Sequence, residues 1–97
     1  MKNILLSKYG VVINDEETGK IIYDLIKLEL SRNDIISISF SGVVTMATFC
    51  AKQIFGRLYK ELGAEIFFRR ILLQDASPDL KFIITHGIQS AISDSYM

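Results

Sequence analysis

Apolar positions along this chain switch between two periods. Asn3 to Ser7 and Val11 to Ile13 are largely apolar, with Lys8-Tyr9-Gly10 between them. They predict one interrupted strand or a tight hairpin turned near Gly10. Asn14-Asp15-Glu16-Glu17 follows as a helix start. Asn14 is placed to cap free backbone N–H groups, Glu17 stands three residues on as in a capping box, and the acids favour the positive end of the dipole. Ile21, Ile22, Leu25, Ile26 and Leu28 then recur at helical spacing, and the helix is expected to run to about Leu30 before Ser31-Arg32-Asn33-Asp34 breaks it. Ile35 to Phe40 alternates, with Ile36, Ile38 and Phe40 on one face and Ser37 and Ser39 on the other, so a strand is expected there. Ser41-Gly42 ends it.

A second helix is predicted from about Thr48 to Leu62, burying Ala47, Ala51, Ile54, Leu58 and Leu62 with Phe55 beside them. Gly63 suits its end because glycine tolerates positive φ. Ala64 to Phe68 reads as one further turn. Ile71-Leu72-Leu73 is a short apolar run suited to a buried parallel strand. Ser77-Pro78-Asp79 starts a last helix, with Ser77 as cap and Pro78 in the first turn. Leu80, Ile83, Ile84, Ile88 and Ile92 form its apolar side, and the tail from Asp94 to Met97 is expected to fray. Strand–helix alternation of this kind predicts a single α/β domain over residues 1–97, with a parallel or mixed sheet and helices packed on it.

Composition narrows the function more than it defines it. Of 97 residues, 49 % are hydrophobic and 23 % charged, enough apolar surface for a folded core. Eleven basic residues balance eleven acidic ones, and no basic run exceeds Arg69-Arg70. A nucleic-acid partner is therefore not expected, because phosphate binding needs a basic surplus. Phe67-Phe68 beside those arginines reads as a helix-to-strand junction burying two phenylalanines. The apolar run at Met1 to Leu6 is too short for a membrane span or a signal-peptide core, and one thiol fits a reducing compartment, so a cytoplasmic protein without a membrane partner is expected.

Chemistry is sparse. The one cysteine, Cys50, excludes an internal disulfide and a four-ligand Cys/His metal site. Cys50 reads as a small core hydrophobe and the one histidine, His86, as a surface or boundary residue, not as a nucleophile–base pair. Consecutive carboxylates at Asp15, Glu16 and Glu17 diverge around a helix and suit capping better than metal binding. Neither glycine-rich phosphate loop is present. No catalytic residue, metal or cofactor is expected. The less ordinary segment is Ser41 to Cys50, which joins a strand to a helix and carries Thr45 and Thr48, either of which can serve as the helix cap. It also reads as a partner-binding edge, where a phosphate on Thr48 would gain from the helix dipole.

Several pieces in order resemble a bacterial family of STAS-like domains of unknown function. They are Lys8-Tyr9-Gly10, Asp15-Glu16-Glu17-Thr18-Gly19, Ser39-Phe40-Ser41-Gly42-Val43, Thr48-Phe49, Ile54-Phe55-Gly56-Arg57-Leu58, Glu61-Leu62-Gly63 and Ile71 to Pro78. STAS domains are named for sulfate transporters and anti-sigma-factor antagonists. The resemblance implies a small sheet with helices mainly on one face. It also implies a protein partner of the kinase-like ATPase class, which in the antagonists phosphorylates a serine or threonine at the start of the helix after a central strand. By position Thr48 matches that acceptor, with Thr45 second. This chain departs from the antagonist pattern: Ala47-Thr48-Phe49-Cys50 lacks the acidic neighbour and the glycine, and Ser39 stands where the family often has aspartate.

The sequence thus predicts a non-catalytic, regulatory protein-interaction module. Its expected binding residues are Ser41, Gly42, Thr45, Thr48, Phe49 and Lys52, with Gln53 beside them. A small-ligand or nucleotide sensor with a pocket near Gly42 and Asp75, and a self-assembling subunit joined through Phe67-Phe68, are the alternatives.

Overall fold

A computed structural model describes residues 1–94 of the chain. Five strands and five α-helices follow in the order β1 (Lys2–Leu5), β2 (Val12–Ile13), α1 (Glu16–Leu30), β3 (Ile36–Ser39), β4 (Thr45–Met46), α2 (Thr48–Ala51), α3 (Arg57–Leu62), α4 (Ala64–Arg70), β5 (Ile71–Gln74) and α5 (Pro78–Asp94). A 3-10 turn, Leu6–Tyr9, follows β1, and a π-helical segment, Lys52–Gly56, joins α2 to α3 without a break. The main sheet is parallel, in the order β1-β3-β5, with Ile4 beside Ile38 and Ile38 beside Leu73.

Side-chain alternation separates the two faces of that sheet. Ile4, Ile36, Ile38 and Ile71 point to the helices and are buried with Ile22, Ile26, Ile54, Phe55 and Leu58. Asn3, Leu5, Ser37, Ser39, Leu72 and Gln74 lie on the opposite face and are half-buried or exposed. The serines of β3 therefore face outward, and the helices cover one side of the sheet, as the α/β reading expects. Lys2 falls on the helix side, where its ammonium lies 3.6 Å from the carboxylate of Glu29, the buried acid of α1.

Four local expectations are corrected. No hairpin forms near Gly10. The chain leaves β1 through the 3-10 turn, and β2 instead pairs in parallel with β4, Val12 beside Thr45 and Ile13 beside Met46, as a separate two-stranded sheet. The cap of α1 is Asp15 and not Asn14: Asp15 has extended backbone and its carboxylate accepts from Thr18 N at 2.9 Å and Thr18 Oγ1 at 3.1 Å. Neither Thr45 nor Thr48 caps the second helix. Thr45 belongs to β4, Thr48 is the first helical residue, and Ala47 holds the cap position without a side-chain hydrogen bond. Of the two phenylalanines at the α4–β5 junction only Phe67 is buried, against Tyr59, while Phe68 is 62 % exposed. Ser77 does cap α5, its Oγ accepting from Leu80 N at 3.2 Å. Asp94 closes that helix, and the rest of the expected frayed tail, 95–97, lies outside the described residues.

Two contacts fix the helices on each other. At the first, α5 meets the π-helical segment almost backbone to backbone. A Cβ on Gly87 would stand 2.7 Å from Lys52 N and 2.8 Å from Ala51 C, and one on Gly56 would stand 2.8 Å from Gly87 O. At the second, the Tyr23 hydroxyl of α1 donates to Glu61 Oε1 of α3, with the Arg57 guanidinium 4.3 Å above the tyrosine ring. Burial, and then the carboxylate it donates to, push the Tyr23 phenol up to about 12.

Gly87→Ala should therefore destabilise the domain by about 2 kcal/mol in denaturant unfolding, because the clash is with backbone. The same change at an exposed helical glycine would stabilise by up to about 1 kcal/mol. Tyr23 is held neutral in the fold, so its contribution is complete below pH 10 and is lost as pH rises from 10 towards 12. Over that window the wild-type unfolding free energy should fall faster than that of Tyr23→Phe by about 1 kcal/mol per pH unit. Parallel curves would show that the phenol titrates alike in both states.

Candidate functional site

The corner after β3 is built by a chain of polar contacts across the strand ends. Asp75, just past β5, takes a left-handed backbone with φ +60°, a conformation that aspartate tolerates better than most residues. Its carboxylate accepts from Ser39 Oγ at 3.2 Å, and Ser39 Oγ in turn accepts from Ser41 N at 3.2 Å. Gly42 follows with φ +85°, and a Cβ there would stand 3.2 Å from Ser7 Cβ. The strand end therefore turns tightly against the 3-10 turn after β1. Val43 is buried, Val44 N donates to Val11 O at 2.8 Å, and β4 leads straight into α2. Val11, Val12 and Val44 are left exposed along this ledge, with the Thr45 side of β4.

Beyond the corner, Phe49 stands half-exposed (50 %) in the first turn of α2. It opens a groove of about 460 Å³ that continues past Lys52, Gln53, Arg57, Lys60 and Glu61 and is closed by Ala91 and Asp94 of α5. Phe49, Gln53, Arg57 and Glu61 recur every four residues, and the π-helical segment between them keeps the stripe on one side. Three cations and two carboxylates line it. Lys52 pairs with Asp94, tying the groove floor to the end of α5. Glu61 is shared among Tyr23, Lys27 at 3.6 Å and Arg57 at 3.8 Å. Among the described residues Lys60 has no acidic partner within salt-bridge distance, so their groove side chains carry one positive charge in excess. Gln53 Nε2 donates to Glu16 O at 3.0 Å, while its Oε1 is buried against Gly19 without a hydrogen-bond partner.

The structure thus brings Phe49 and Lys52 into one groove, with Gln53 between them. Ser41, Gly42, Thr45 and Thr48 do not line it. The first two shape the β3 strand end, Thr45 lies exposed on β4, and Thr48 is exposed at the start of α2. Arg57, Lys60, Glu61 and Asp94 are the groove residues that sequence reasoning missed. The four-residue spacing from Phe49 could have suggested the first and third. Asp94 arrives only because α5 packs against the π-helical segment.

Neither Cys50 nor His86 lines this groove. Cys50 is fully buried, its Sγ donates to Asp15 O at 3.5 Å, and burial pushes its thiol up, away from the reactive thiolate. His86 is exposed and stacks on Phe82, ring centres 6.2 Å apart. Among the described residues no group of three or more His, Cys, Asp and Glu side chains is placed to hold a metal ion, and no helix is long and apolar enough to cross a membrane.

Comparison with known proteins adds one match. No curated protein and no solved structure matches the chain significantly. A family model described as a STAS-like domain of unknown function matches residues 18–81, well over half of the chain, from the first turns of α1 through the β3 corner and the groove helix to the start of α5. The chain belongs to this family of STAS-like domains.

Proposed function

We propose that this domain is a non-catalytic regulatory module that binds a protein partner through the groove on α2–α3, with the kinase-like ATPase class of the anti-sigma-factor antagonists as the first partner to test. The observation that carries the reading is Phe49: a half-exposed phenylalanine at the mouth of a groove lined by Lys52, Arg57 and Lys60. Aromatic anchors beside desolvated cations are the side chains that dominate binding energy at protein interfaces. The groove asks for an apolar side chain from the partner with a carboxylate next to it, to meet Phe49 and the excess charge at Lys60.

Thr48 adjoins this mouth, exposed and at the positive end of a helix that runs on to Leu62. A phosphate there adds about two negative charges next to Phe49. The helix end accommodates that charge, whereas a partner carboxylate in the neighbouring groove is repelled by it. Modification of Thr48 would then release the partner without disturbing the fold.

The test is a pull-down from the native host with tagged protein, with and without ATP, followed by intact-mass analysis of the bait. A kinase-like ATPase should be captured. Phe49→Ala and Lys60→Glu should each weaken its binding, Phe49→Ala by roughly 30-fold, or about 2 kcal/mol, with melting temperatures within a few degrees of wild type. Thr48→Glu should release the partner as a phosphate would. Unchanged affinity in Phe49→Ala and Lys60→Glu would remove the groove from the interface. Lys52→Ala is the poorer probe, because it also breaks the pair with Asp94 on α5.

A further inference from the structure

The two outer strands of the main sheet are unlike each other. β1 carries Lys2 and Asn3, and a charged side chain is a common guard against edge-to-edge pairing. β5, at the other edge, reads Ile71-Leu72-Leu73-Gln74 and carries no charge. Its backbone is half used. Gln74 O accepts from Phe40 N on the β3 side at 2.9 Å, so strand alternation turns the C=O of Ile71 and the N–H and C=O of Leu73 to the open edge, while the Ile71 N–H closes α4 by donating to Phe67 O. Beside that edge, on the helix side of the sheet, lies a mainly apolar groove of about 250 Å³ between Phe67, Phe68, Leu73 and Ile84, with Lys81 and Thr85 as its polar lining.

We infer that β5 is the pairing edge for a second copy of this chain, joined antiparallel about Leu73 so that the two main sheets become one. Antiparallel pairing about a two-fold axis keeps the helix faces on the same side and sets Leu73 against Leu73, each beside the other's apolar groove. Charge selects this occupant. The N-terminal end of β5 is basic, with Arg69 and Arg70, and the C-terminal end is acidic, with Asp75 and then Asp79. Arg70 is already spent on the carbonyls of Leu30, Asn33 and Asp34. Arg69 is 65 % exposed, and its one ion pair among the described residues is a 3.9 Å contact to an 89 % exposed Glu65. In the register about Leu73, Ile71 lies opposite Asp75 of the second copy, which brings Arg69 near that carboxylate twice per dimer. A strand with a basic start and an acidic end is complementary to itself only when reversed. The inference does not rest on the partner groove, which shares no lining residue with this edge.

Sedimentation of the full chain from about 1 μM to about 1 mM, paired with residue-resolved amide exchange over the same range, tests this. A monomer–dimer equilibrium is expected, with the Leu73 amide gaining protection as concentration rises. The Gln74 amide, bonded towards β3, should stay protected throughout. Arg69→Glu should raise the dimer dissociation constant roughly tenfold. A monomer at every concentration overturns the inference. So does a dimer in which Leu73 exchange ignores concentration, and a dimer indifferent to Arg69→Glu overturns the antiparallel register. None of these outcomes depends on whether Phe49 binds a partner.

Discussion

The close approach of α5 to the π-helical segment governs this small fold. Two helices with ordinary side chains at their crossing sit about 8–10 Å apart. Here Gly87 lies against Ala51 and the Lys52 backbone, and Gly56 lies against Gly87 and Ala91, so at these contacts nothing larger than an alanine methyl separates the two helices. That closeness lets Ala51, Ile54, Phe55 and Leu58 all be buried while α5 still caps the layer. The wide turn at Lys52–Gly56 fits the same constraint, since π-bulges add a residue within a helix. In consequence the end of α5 reaches Lys52 through Asp94 and closes the groove. A packing device of small residues thus shapes the surface that the partner reading uses.

That dependence also explains which parts of the structure were legible in the sequence. Periodic elements are legible in kind: α1, the helix from Thr48 to Leu62, α5 and the strand at Ile36 each declare a period, whereas the strand at Ile71 shows as a short apolar run. The β2–β4 pair was not legible. Two-residue strands have no period, and Val12 pairs with Thr45 across a stretch of chain that contains α1 and β3. Asn14 and Asp15 are both good caps, and the choice between them is made by where the backbone turns extended. Phe67 and Phe68 are neighbours with the same chemistry, and both rings lie near Tyr59, so only the way α4 is turned on the core decides that Phe67 is the buried one. The groove was half legible: Phe49 and Lys52 could be named from one helix, but Asp94 belongs to a tertiary contact set by two glycines.

The corner at Ser41–Gly42 follows a different logic. In parallel sheets the strand carboxyl ends are where loops gather and where binding groups are commonly placed. Here those loops bind each other. Asp75 holds Ser39, Ser39 holds Ser41, and Gly42 presses on Ser7, so the ends of β1, β3 and β5 are tied into one rim. A left-handed aspartate stores strain of order 1 kcal/mol, which the hydrogen bond to Ser39 helps to offset. A rim occupied with its own contacts is better suited to fixing the direction of α2 than to receiving a small ligand. In the proposed reading the corner contributes indirectly, by presenting Thr48 and Phe49 at a fixed angle.

Electrostatics distinguishes the two surfaces by the same reasoning. With net charge zero the chain has no net attraction for a partner of either sign, so the proposed recognition rests on how charges are placed locally. In the groove, Glu61 is committed to three neighbours and Asp94 to Lys52, which leaves Lys60 as the cation on which the proposed choice of an acidic partner rests. At β5 the two signs sit at opposite ends of an uncharged strand, and that polarity favours a reversed copy over a parallel one. A short edge strand is ordinarily a weak template. What makes β5 specific is that backbone, apolar groove and end charges all ask for the same orientation, so each suppresses registers that the others would allow.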